Sequence, residues 1–253
     1  MLQQDLSYQG TKTQLYIRSG VLFFAISALT LLISPMMLIA TLLSSKICYS
    51  LAKLWVKFSL WLVEHICGLK YEVYGLEHLH SANQAIILSK HQSAWETIAF
   101  IHIFPPLSYV LKRSLLWLPF WGWAMATLKP IAINRGNQRT ALRELLTQGR
   151  ARLKEGLWVV IFPEGTRTAP GEKKKFNAGG SLLAQQSGFP VIPVAHNAGQ
   201  FWPRYSFLKY PGIIKVKIGP LIESKGKKAS QLNAEVEHWI SQAMEEINVP
   251  KVV

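Results

Sequence analysis

The chain has 253 residues, enough for one α/β domain with an additional segment and for a sizeable buried core. It carries 28 Lys and Arg against 14 Asp and Glu, a formal net charge of +14, which favours an anionic partner such as phosphate, nucleic acid or anionic lipid. Because 49% of the residues are hydrophobic, a fraction atypical of nucleic-acid-binding modules, the composition favours lipid and argues against nucleic acid.

The first predicted element is an apolar N-terminal segment. Residues 21–43 carry no charge, and as a helix they are long enough to cross a hydrocarbon core of ~30 Å. We therefore expect a membrane-embedded segment. A signal peptide is the alternative, but its apolar core usually has only ~7–15 residues and ends at a small-x-small cleavage site, which is not evident here. Pro35 would kink or break a helix, so a re-entrant hairpin is an alternative to a full span.

The next segment, residues 47–66, mixes Lys53 and Lys57 with Trp, Phe and aliphatic residues, a pattern typical of an amphipathic helix at a membrane interface. Basic residues after the apolar segment favour a cytoplasmic location for the remainder of the chain. We expect membrane-associated helices in residues 1–67 and a domain in residues 68–253, on the cytoplasmic side of the inner membrane.

From residue 68 onward, short apolar runs alternate with helical stretches. Strands are predicted at KYEVYG, QAIILS, LSYVLK, KPIAIN, LWVVIF, VIPVAH and IIKVKIG. Several of these runs are apolar at successive positions, as in strands that are covered on both faces. The fold class expected is α/β, with a largely parallel or mixed central sheet covered by helices. Helices are predicted at NQRTALRELLTQGRARLKEG and SQLNAEVEHWISQAMEEI.

One titratable pair lies between the predicted strand QAIILS and the following helical stretch. His91 and Glu96 are five positions apart, about 140° on a helix, so they can meet only if His91 lies in a loop. The carboxyl edge of an open α/β sheet is where ligand sites occur. Ser93 and Glu96 also match the S-x-x-E capping box, so Glu96 is either a helix cap or a partner of His91.

A second cluster follows the strand LWVVIF, where Glu164, Gly165, Thr166 and Arg167 form one turn after Pro163. Such a turn can present backbone amides and a guanidinium to a phosphate. The alternative is an exposed loop in which Arg167 pairs with Glu164.

These motifs together resemble the glycerolipid acyltransferase family, and most closely its bacterial lysophosphatidate acyltransferases. The resemblance covers residues 71–219 and rests on H-x4-E at 91–96, FPEGTR at 162–167 and VIPV at 191–194. KRSLLWLPFWGW and PIAINR match further blocks. The chain departs from the usual family pattern at Glu96, where Asp is more common, at Ser114, where an acid is usual, and at Asn177-Ala178, where basic residues are frequent.

The resemblance implies acyl transfer without an enzyme nucleophile. Deprotonating a substrate hydroxyl needs a base such as His91, and Glu96 would hold the imidazole tautomer that leaves Nε2 free. The substrate is then the nucleophile, in agreement with the absence of a G-x-S-x-G motif from the sequence. No cofactor is expected, and scattered His91, His102 and His196 do not have the spacing of a metal site.

The resemblance also implies where the acceptor binds. Arg167 would face the acceptor phosphate, Glu164 its glycerol portion, and the amide of Gly165 the oxyanion, with Thr166 in the same block. Arg135 and Lys112 are further phosphate candidates. The aromatic cluster Trp117, Phe120, Trp121 and Trp123 would form either ordinary core or the wall of an acyl-chain tunnel.

The resulting hypothesis is a membrane-bound acyltransferase that moves a fatty acyl chain from acyl-CoA or acyl-carrier protein to the sn-2 hydroxyl of lysophosphatidate, within a phospholipid membrane. Another acceptor, such as glycerol 3-phosphate or a lyso-amino-acid lipid, is the alternative within the family. A non-catalytic protein that binds anionic lipid or nucleic acid is the alternative of another class, and it would not need the His91–Glu96 pair.

Overall fold

The computed structural model describes residues 10–248. Its helices are α1 Lys12–Ala40, α2 Ser45–Cys67, α3 Trp95–Ile103, α4 Trp121–Thr127, α5 Gln138–Lys154, α6 Gly179–Ser187, α7 Ala198–Phe201 and α8 Ala229–Ile247. Its strands are β1 Leu69–Tyr74, β2 Ile86–Ser89, β3 Leu107–Lys112, β4 Ile131–Ile133, β5 Trp158–Ile161, β6 Val191–His196 and β7 Gly212–Ile218. Short 3-10 helices lie at Leu76–Ser81 and Arg113–Trp117. Each of the seven predicted strand runs overlaps a strand, and both predicted helices are present.

The N-terminal segment forms a helical hairpin, α1 and α2. Thr11 caps α1 by accepting a hydrogen bond from the amide of Gln14 at 3.3 Å, and the helix continues through Pro35 to Ala40. The proline therefore does not end the helix, which continues for five residues after it. Gly68 ends α2 with φ of 68°, a left-handed conformation that glycine adopts without strain.

Among the described residues, α1 is the one helix that is long and apolar enough to cross a membrane. Many of its large apolar side chains remain exposed, including Phe24 at 73% and Leu32 at 64%. Exposed apolar side chains grouped on one helix are typical of a surface that contacts lipid or another protein.

The seven strands form a single mixed sheet in the order β1-β7-β6-β2-β5-β3-β4. Neighbouring strands are parallel except for β6 and β7, which are antiparallel, so the expected mixed α/β fold is confirmed. The central strand β2 pairs with β5 in a register that places Leu88 beside Ile161. The carboxyl ends of β2 and β5 are therefore level, and the loops that follow them meet at one edge of the sheet.

Helices cover both faces of this sheet. Ile87 of β2 and Val160 of β5 belong to a core cluster that also contains Val56 and Val63 of α2. Residues on the other sheet face pack with α6 and α8. On α8 the packing residues Leu232, Val236, Ile240 and Ile247 are buried. The expected boundary after residue 67 coincides with the end of α2. However, the hairpin and the sheet share one hydrophobic core, so the hairpin is not a separate packing unit.

Candidate active site

The His91–Glu96 pair lies at the carboxyl end of β2, in the loop that leads to α3. His91 precedes the helix and Glu96 lies in its first turn, so the two side chains meet across the junction, as the spacing requires. The His91 Nδ1 is 2.8 Å from Glu96 Oε1, and the imidazole of His91 lines a large cavity. Since a carboxylate accepts a hydrogen bond, Nδ1 is the protonated nitrogen, and Nε2 keeps its lone pair for a substrate.

The same oxygen of Glu96 also accepts hydrogen bonds from the backbone amides of Gln92 at 2.8 Å and Ser93 at 2.7 Å. Burial raises the pKa of this carboxyl, but the imidazoles of His196 and His91 and the bonded amides outweigh burial, and the pKa lies below its usual value. The two interpretations of Glu96 are therefore compatible, because one oxygen both satisfies the amides before α3 and orients His91. The Ser93 hydroxyl accepts a hydrogen bond from the Trp95 amide at 3.1 Å. In a regular capping box it would accept from the amide of Glu96, one residue later.

His196 is a buried imidazole that supports the loop carrying His91. Its Nε2 is 2.8 Å from the Lys90 carbonyl oxygen, which can only accept, so Nε2 is protonated. Its Nδ1 accepts from the Ala198 amide at 3.4 Å. Burial lowers the pKa of His196 and outweighs the attraction of Glu96, so the ring is neutral near pH 7. The sequence showed this histidine but gave no signal for its role.

The loop after β5 brings Phe162 and Glu164 to the same edge. The Phe162 ring stacks on the His91 imidazole with centroids 4.0 Å apart and an interplanar angle of 15°. This contact restricts rotation of the imidazole and helps to hold Nε2 towards the cavity.

Glu164 does not have the environment expected of an acceptor-binding residue. Its carboxylate is fully buried, pairs with the Lys90 ammonium, and accepts from the His91 backbone amide at 2.9 Å and the Thr168 hydroxyl at 3.1 Å. It is not part of the cavity wall. The acid of the FPEGTR block therefore clamps the two loops of the site together, and the expected contact with the acceptor glycerol is not supported. Lys90 and Thr168 are the partners that sequence reasoning missed.

Gly165 and Arg135 lie at the cavity wall and contact one another. Gly165 has φ of 72°, which permits the tight turn, but its amide donates to the Phe162 carbonyl at 3.0 Å. That amide is already used, so the expected role of Gly165 in binding the oxyanion is not supported. The guanidinium of Arg135 donates to the Gly165 carbonyl at 2.7 Å, and burial lowers its pKa. Thr166 is half-buried beside this turn and is outside the cavity wall.

Arg167 is the basic residue of the FPEGTR block, and its guanidinium is available to a ligand. Glu164 pairs with Lys90, and among the described residues no carboxylate lies within ion-pair distance of the Arg167 guanidinium. The alternative of an Arg167–Glu164 ion pair is therefore wrong. Arg167 lines the cavity together with Lys112 and Arg135.

The cavity that these residues share has a volume of about 640 Å³. Its wall contains His91 and three cations, and no carboxylate from the described residues lines it. Its apolar part includes Trp55, Ile98, Ile101, Tyr109, Leu111, Leu115, Trp121, Met125, Leu142 and Leu145. A cavity of this kind suits an amphiphile with an anionic head and a hydrocarbon chain.

The aromatic cluster near residue 120 is only partly in this wall. Trp121 lines the cavity, whereas Trp117, Phe120 and Trp123 are 78%, 38% and 43% exposed. Both interpretations, buried core and tunnel wall, are therefore wrong for these three side chains, and only Trp121 has the position of a tunnel residue.

The site is that of an enzyme in which an oriented imidazole faces a cationic and apolar cavity. Residues 70–197 match the protein family described as Acyltransferase. The chain is 50% identical over 197 residues to the 1-acyl-sn-glycerol-3-phosphate acyltransferase of Pseudomonas aeruginosa, an alignment that covers 77% of this chain and 76% of that protein. It is 29% identical over 176 residues to human 1-acyl-sn-glycerol-3-phosphate acyltransferase beta, covering 69% and 63% of the two chains.

The fold has a counterpart among solved structures. The crystal structure of the 1-acyl-sn-glycerophosphate acyltransferase from Thermotoga maritima has a TM-score of 0.80 and 21% identity to this chain, and covers 95% of this chain and 99% of that one. At this identity the likeness bears on the fold. On the family match and the sequence identity, the chain belongs to the acyltransferase family.

Proposed function

We propose that the chain transfers a fatty acyl group from a thioester, either acyl-CoA or acyl-carrier protein, to the sn-2 hydroxyl of lysophosphatidate, and so forms phosphatidate. The observation that carries this proposal is the His91–Glu96 pair at the wall of a cavity that combines three cations with an apolar region. An anionic lipid binder would need the cations and the apolar surface, but it would not need an oriented imidazole.

The proposed reaction begins with proton transfer. Nε2 of His91 takes the proton of the acceptor hydroxyl while its oxygen attacks the thioester carbonyl, and Glu96 stabilises the imidazolium that forms. Collapse of the tetrahedral intermediate breaks the carbon–sulfur bond. His91 returns the proton to the leaving thiolate, so the products are an ester and a free thiol.

The proposed acceptor site uses the cations of the cavity. Arg167, which has no carboxylate partner among residues 10–248, binds the acceptor phosphate, while Arg135 and Lys112 lie in the same wall and add positive charge. The acyl chains extend along the apolar part of the cavity towards α2 and α4. Glu164 acts indirectly, since its contacts hold the loop of His91.

We propose a location at the cytoplasmic face of the inner membrane, where the exposed face of α1 contacts lipid and the sheet domain faces the cytosol. Arg18 lies at the end of α1 that adjoins the sheet domain, and a basic residue at this end of the apolar run favours this orientation. A membrane location also gives the site direct access to a lipid acceptor.

Product analysis tests the reaction. The purified chain in lipid nanodiscs is given lysophosphatidate, glycerol 3-phosphate or a lyso-amino-acid lipid, each with acyl-CoA or acyl-carrier protein, and the products are identified by mass spectrometry. We expect phosphatidate from lysophosphatidate, and no product from the His91→Ala variant. Faster transfer to either of the other acceptors would reassign the acceptor. Equal product from the parent and His91→Ala would refute the mechanism.

A further inference from the structure

The loop between α7 and β7, residues 202–210, is rich in exposed aromatic residues, and we refer to it as the aromatic loop. Tyr205 is 84% exposed and Phe207 is 45% exposed. Exposed aromatic side chains mark an interaction site when they belong to a larger contiguous apolar surface. The reaction proposed above does not use either residue.

The aromatic loop packs against the first turns of α1. The ring of Phe207 lies near those of Tyr16 and Phe23, with centroids 6.3 and 6.4 Å apart. The Lys209 amide donates to the Ser19 hydroxyl at 3.0 Å. The aromatic loop therefore continues the exposed apolar surface of α1, although the two segments are nearly 200 residues apart in the sequence.

The charges on α1 define where this contact lies relative to a bilayer. Arg18 is the last charged residue of α1, and no further charge occurs before Lys46. If α1 contacts lipid, Arg18 marks the level of the headgroups and the uncharged remainder of the helix lies deeper. Ser19, Tyr16 and Phe23 border this level. The aromatic loop therefore lies at the height where aromatic and basic side chains are favoured at membranes.

Contacts within the aromatic loop hold its backbone in one conformation. The Lys209 ammonium lies 5.0 Å from the ring centroids of both Trp202 and Phe207, and donates to the Phe207 carbonyl at 2.6 Å. Tyr205 has φ of 58°, a left-handed conformation that is uncommon for residues other than glycine. Because these contacts fix the backbone that projects the Tyr205 ring, little conformational freedom would be lost when that ring is buried in a partner.

The aromatic loop is also joined to the acceptor site. One nitrogen of the Arg204 guanidinium donates to the backbone carbonyl of Arg167, and another lies 3.0 Å from the Glu172 carboxylate. Arg204 therefore fixes the backbone of the residue to which we assign the acceptor phosphate.

We propose that the aromatic loop is a second membrane-contact surface, which inserts Tyr205 and Phe207 among lipid headgroups beside α1, and that Arg204 holds the acceptor site at a fixed height above it. The occupant is a lipid bilayer with anionic headgroups, since the exposed rings adjoin the apolar face of α1 and the exposed basic side chain of Arg18. The inference rests on the membrane location proposed above. It assigns the aromatic loop a role in presenting a membrane-embedded acceptor to Arg167.

Site-directed labelling tests this surface without an activity measurement. Tyr205→Cys is labelled with an environment-sensitive fluorophore in the full chain, in vesicles of phosphatidylethanolamine and phosphatidylglycerol. The native Cys48 and Cys67 are each 1% exposed, and the labelled parent chain measures their background. Tyr74→Cys is the control, because Tyr74 is an exposed tyrosine on the edge strand β1. Lipids that carry a nitroxide near the headgroup and aqueous iodide serve as the two quenchers.

We expect the nitroxide lipid to quench the probe at residue 205 and iodide to quench it weakly, with the reverse pattern at residue 74. Iodide quenching at residue 205 without quenching by the nitroxide lipid, in vesicles from which the protein is not extracted by carbonate, would overturn the inference. If the probe at residue 205 becomes protected from iodide only when acidic acyl-carrier protein is added, the inference is also overturned. The surface would then be assigned to a protein partner. Release of the protein by carbonate would instead contradict the membrane location itself.

A second variant keeps the test independent of the label. Tyr205→Gly removes the ring but suits the left-handed backbone, so the melting temperature should not fall. We expect this variant to lose activity towards a long-chain lysophosphatidate in vesicles and to retain activity towards a short-chain, monomeric lysophosphatidate. Equal activity of parent and variant on the vesicle substrate would contradict the proposed presentation role.

Discussion

The Glu164 carboxylate forms an ion pair with the Lys90 ammonium and also accepts a hydrogen bond from the backbone amide of His91. The residue before the base and the acid of the loop after β5 thus form one buried clamp, although 74 residues separate them. Because Lys90 neutralises Glu164, that carboxylate does not pair with Arg167, and the Arg167 guanidinium stays available to an anionic substrate.

Replacing His91 by Ala should abolish transfer. Loss of a general base typically costs ~10²-fold or more in rate. The side chain is near the surface of the cavity, so the melting temperature and membrane association should change little. Initial rates with lysophosphatidate, circular dichroism melting and carbonate extraction check these expectations. Activity within a few fold of the parent would exclude His91 as the base.

Replacing Glu96 by Gln should lower kcat severely. The amide oxygen can still accept from the Gln92 and Ser93 amides, so the helix start should survive. However, the neutral amide cannot stabilise the imidazolium that His91 becomes during the reaction. We expect a large fall in kcat with a modest change in melting temperature, both measured on one preparation. Normal turnover in a normally melting variant would leave capping as the only role of Glu96.

Arg167→Lys should be a poor replacement although it keeps the charge. A guanidinium binds a phosphate through two parallel hydrogen bonds that an ammonium cannot reproduce, and losing one charge-assisted contact of ~1.5–3 kcal/mol corresponds to roughly ten- to a hundred-fold. The loss should appear in kcat/KM for lysophosphatidate and shrink for an acceptor without phosphate. Arg150→Lys, on the exposed side of α5, is the matched control. Equal fractional losses for both acceptors would move the phosphate site to Arg135 or Lys112.

Glu164→Gln should lower the free energy of unfolding. The ion-pair side chains of Lys90 and Glu164 are 10% and 0% exposed, and removing one member of a buried pair typically costs ~3–5 kcal/mol. Urea unfolding should show this loss, whereas Glu235→Gln, in an exposed pair with Lys227, should stay within about 0.5 kcal/mol of the parent. We also expect kcat to fall, because the His91 loop loses its clamp. A raised KM for the acceptor with unchanged stability would restore Glu164 to the acceptor site.

His196 should make stability sensitive to mild acid. Burial lowers the pKa of His196 in the folded chain, while in the unfolded chain it is ~6.5. As the pH falls below ~6.5 the unfolded state therefore binds more protons, and stability falls. His196→Gln keeps a donor for the Lys90 carbonyl and should flatten the melting temperature between about pH 7 and pH 5.

The pKa of His102 is also lowered, by burial and by Lys53 and Lys57, so it contributes to the same slope. The double variant His102→Gln/His196→Gln should flatten the curve further than His196→Gln alone. A slope in His196→Gln equal to that of the parent would show that this buried imidazole is not the sensitive group.

The strands, the long helices and the His91–Glu96 pair could all be predicted from the sequence, because each depends on local periodicity or short spacing. The partner of Glu164 could not, since Lys90 reaches it only through the pairing of β2 with β5. A sequence pattern identifies residue types that suit a phosphate site, but it does not indicate which charge is already neutralised inside the fold.

The solvent exposure of aromatic side chains also could not be predicted from the sequence. Trp117, Phe120 and Trp123 are residue types typical of a core or a tunnel wall, yet their side chains are substantially exposed. Hydrophobicity favours removal from water without specifying whether protein or lipid covers the ring. The sequence also did not predict the contact between the aromatic loop and α1, because that contact depends on the tertiary fold.

The order of strands in the sheet bears on the synthesis of the chain. The central strand β2 pairs with β5 and β6, and β5 begins about 70 residues after β2 ends. At ~5–20 residues per second, a ribosome needs roughly 3–14 s to produce that interval. During that time the apolar run of β2 has neither neighbour, and the base His91 has no clamp. Early delivery of α1 and α2 to a bilayer would keep the most apolar part of the nascent chain from aggregating until β5 and β6 emerge.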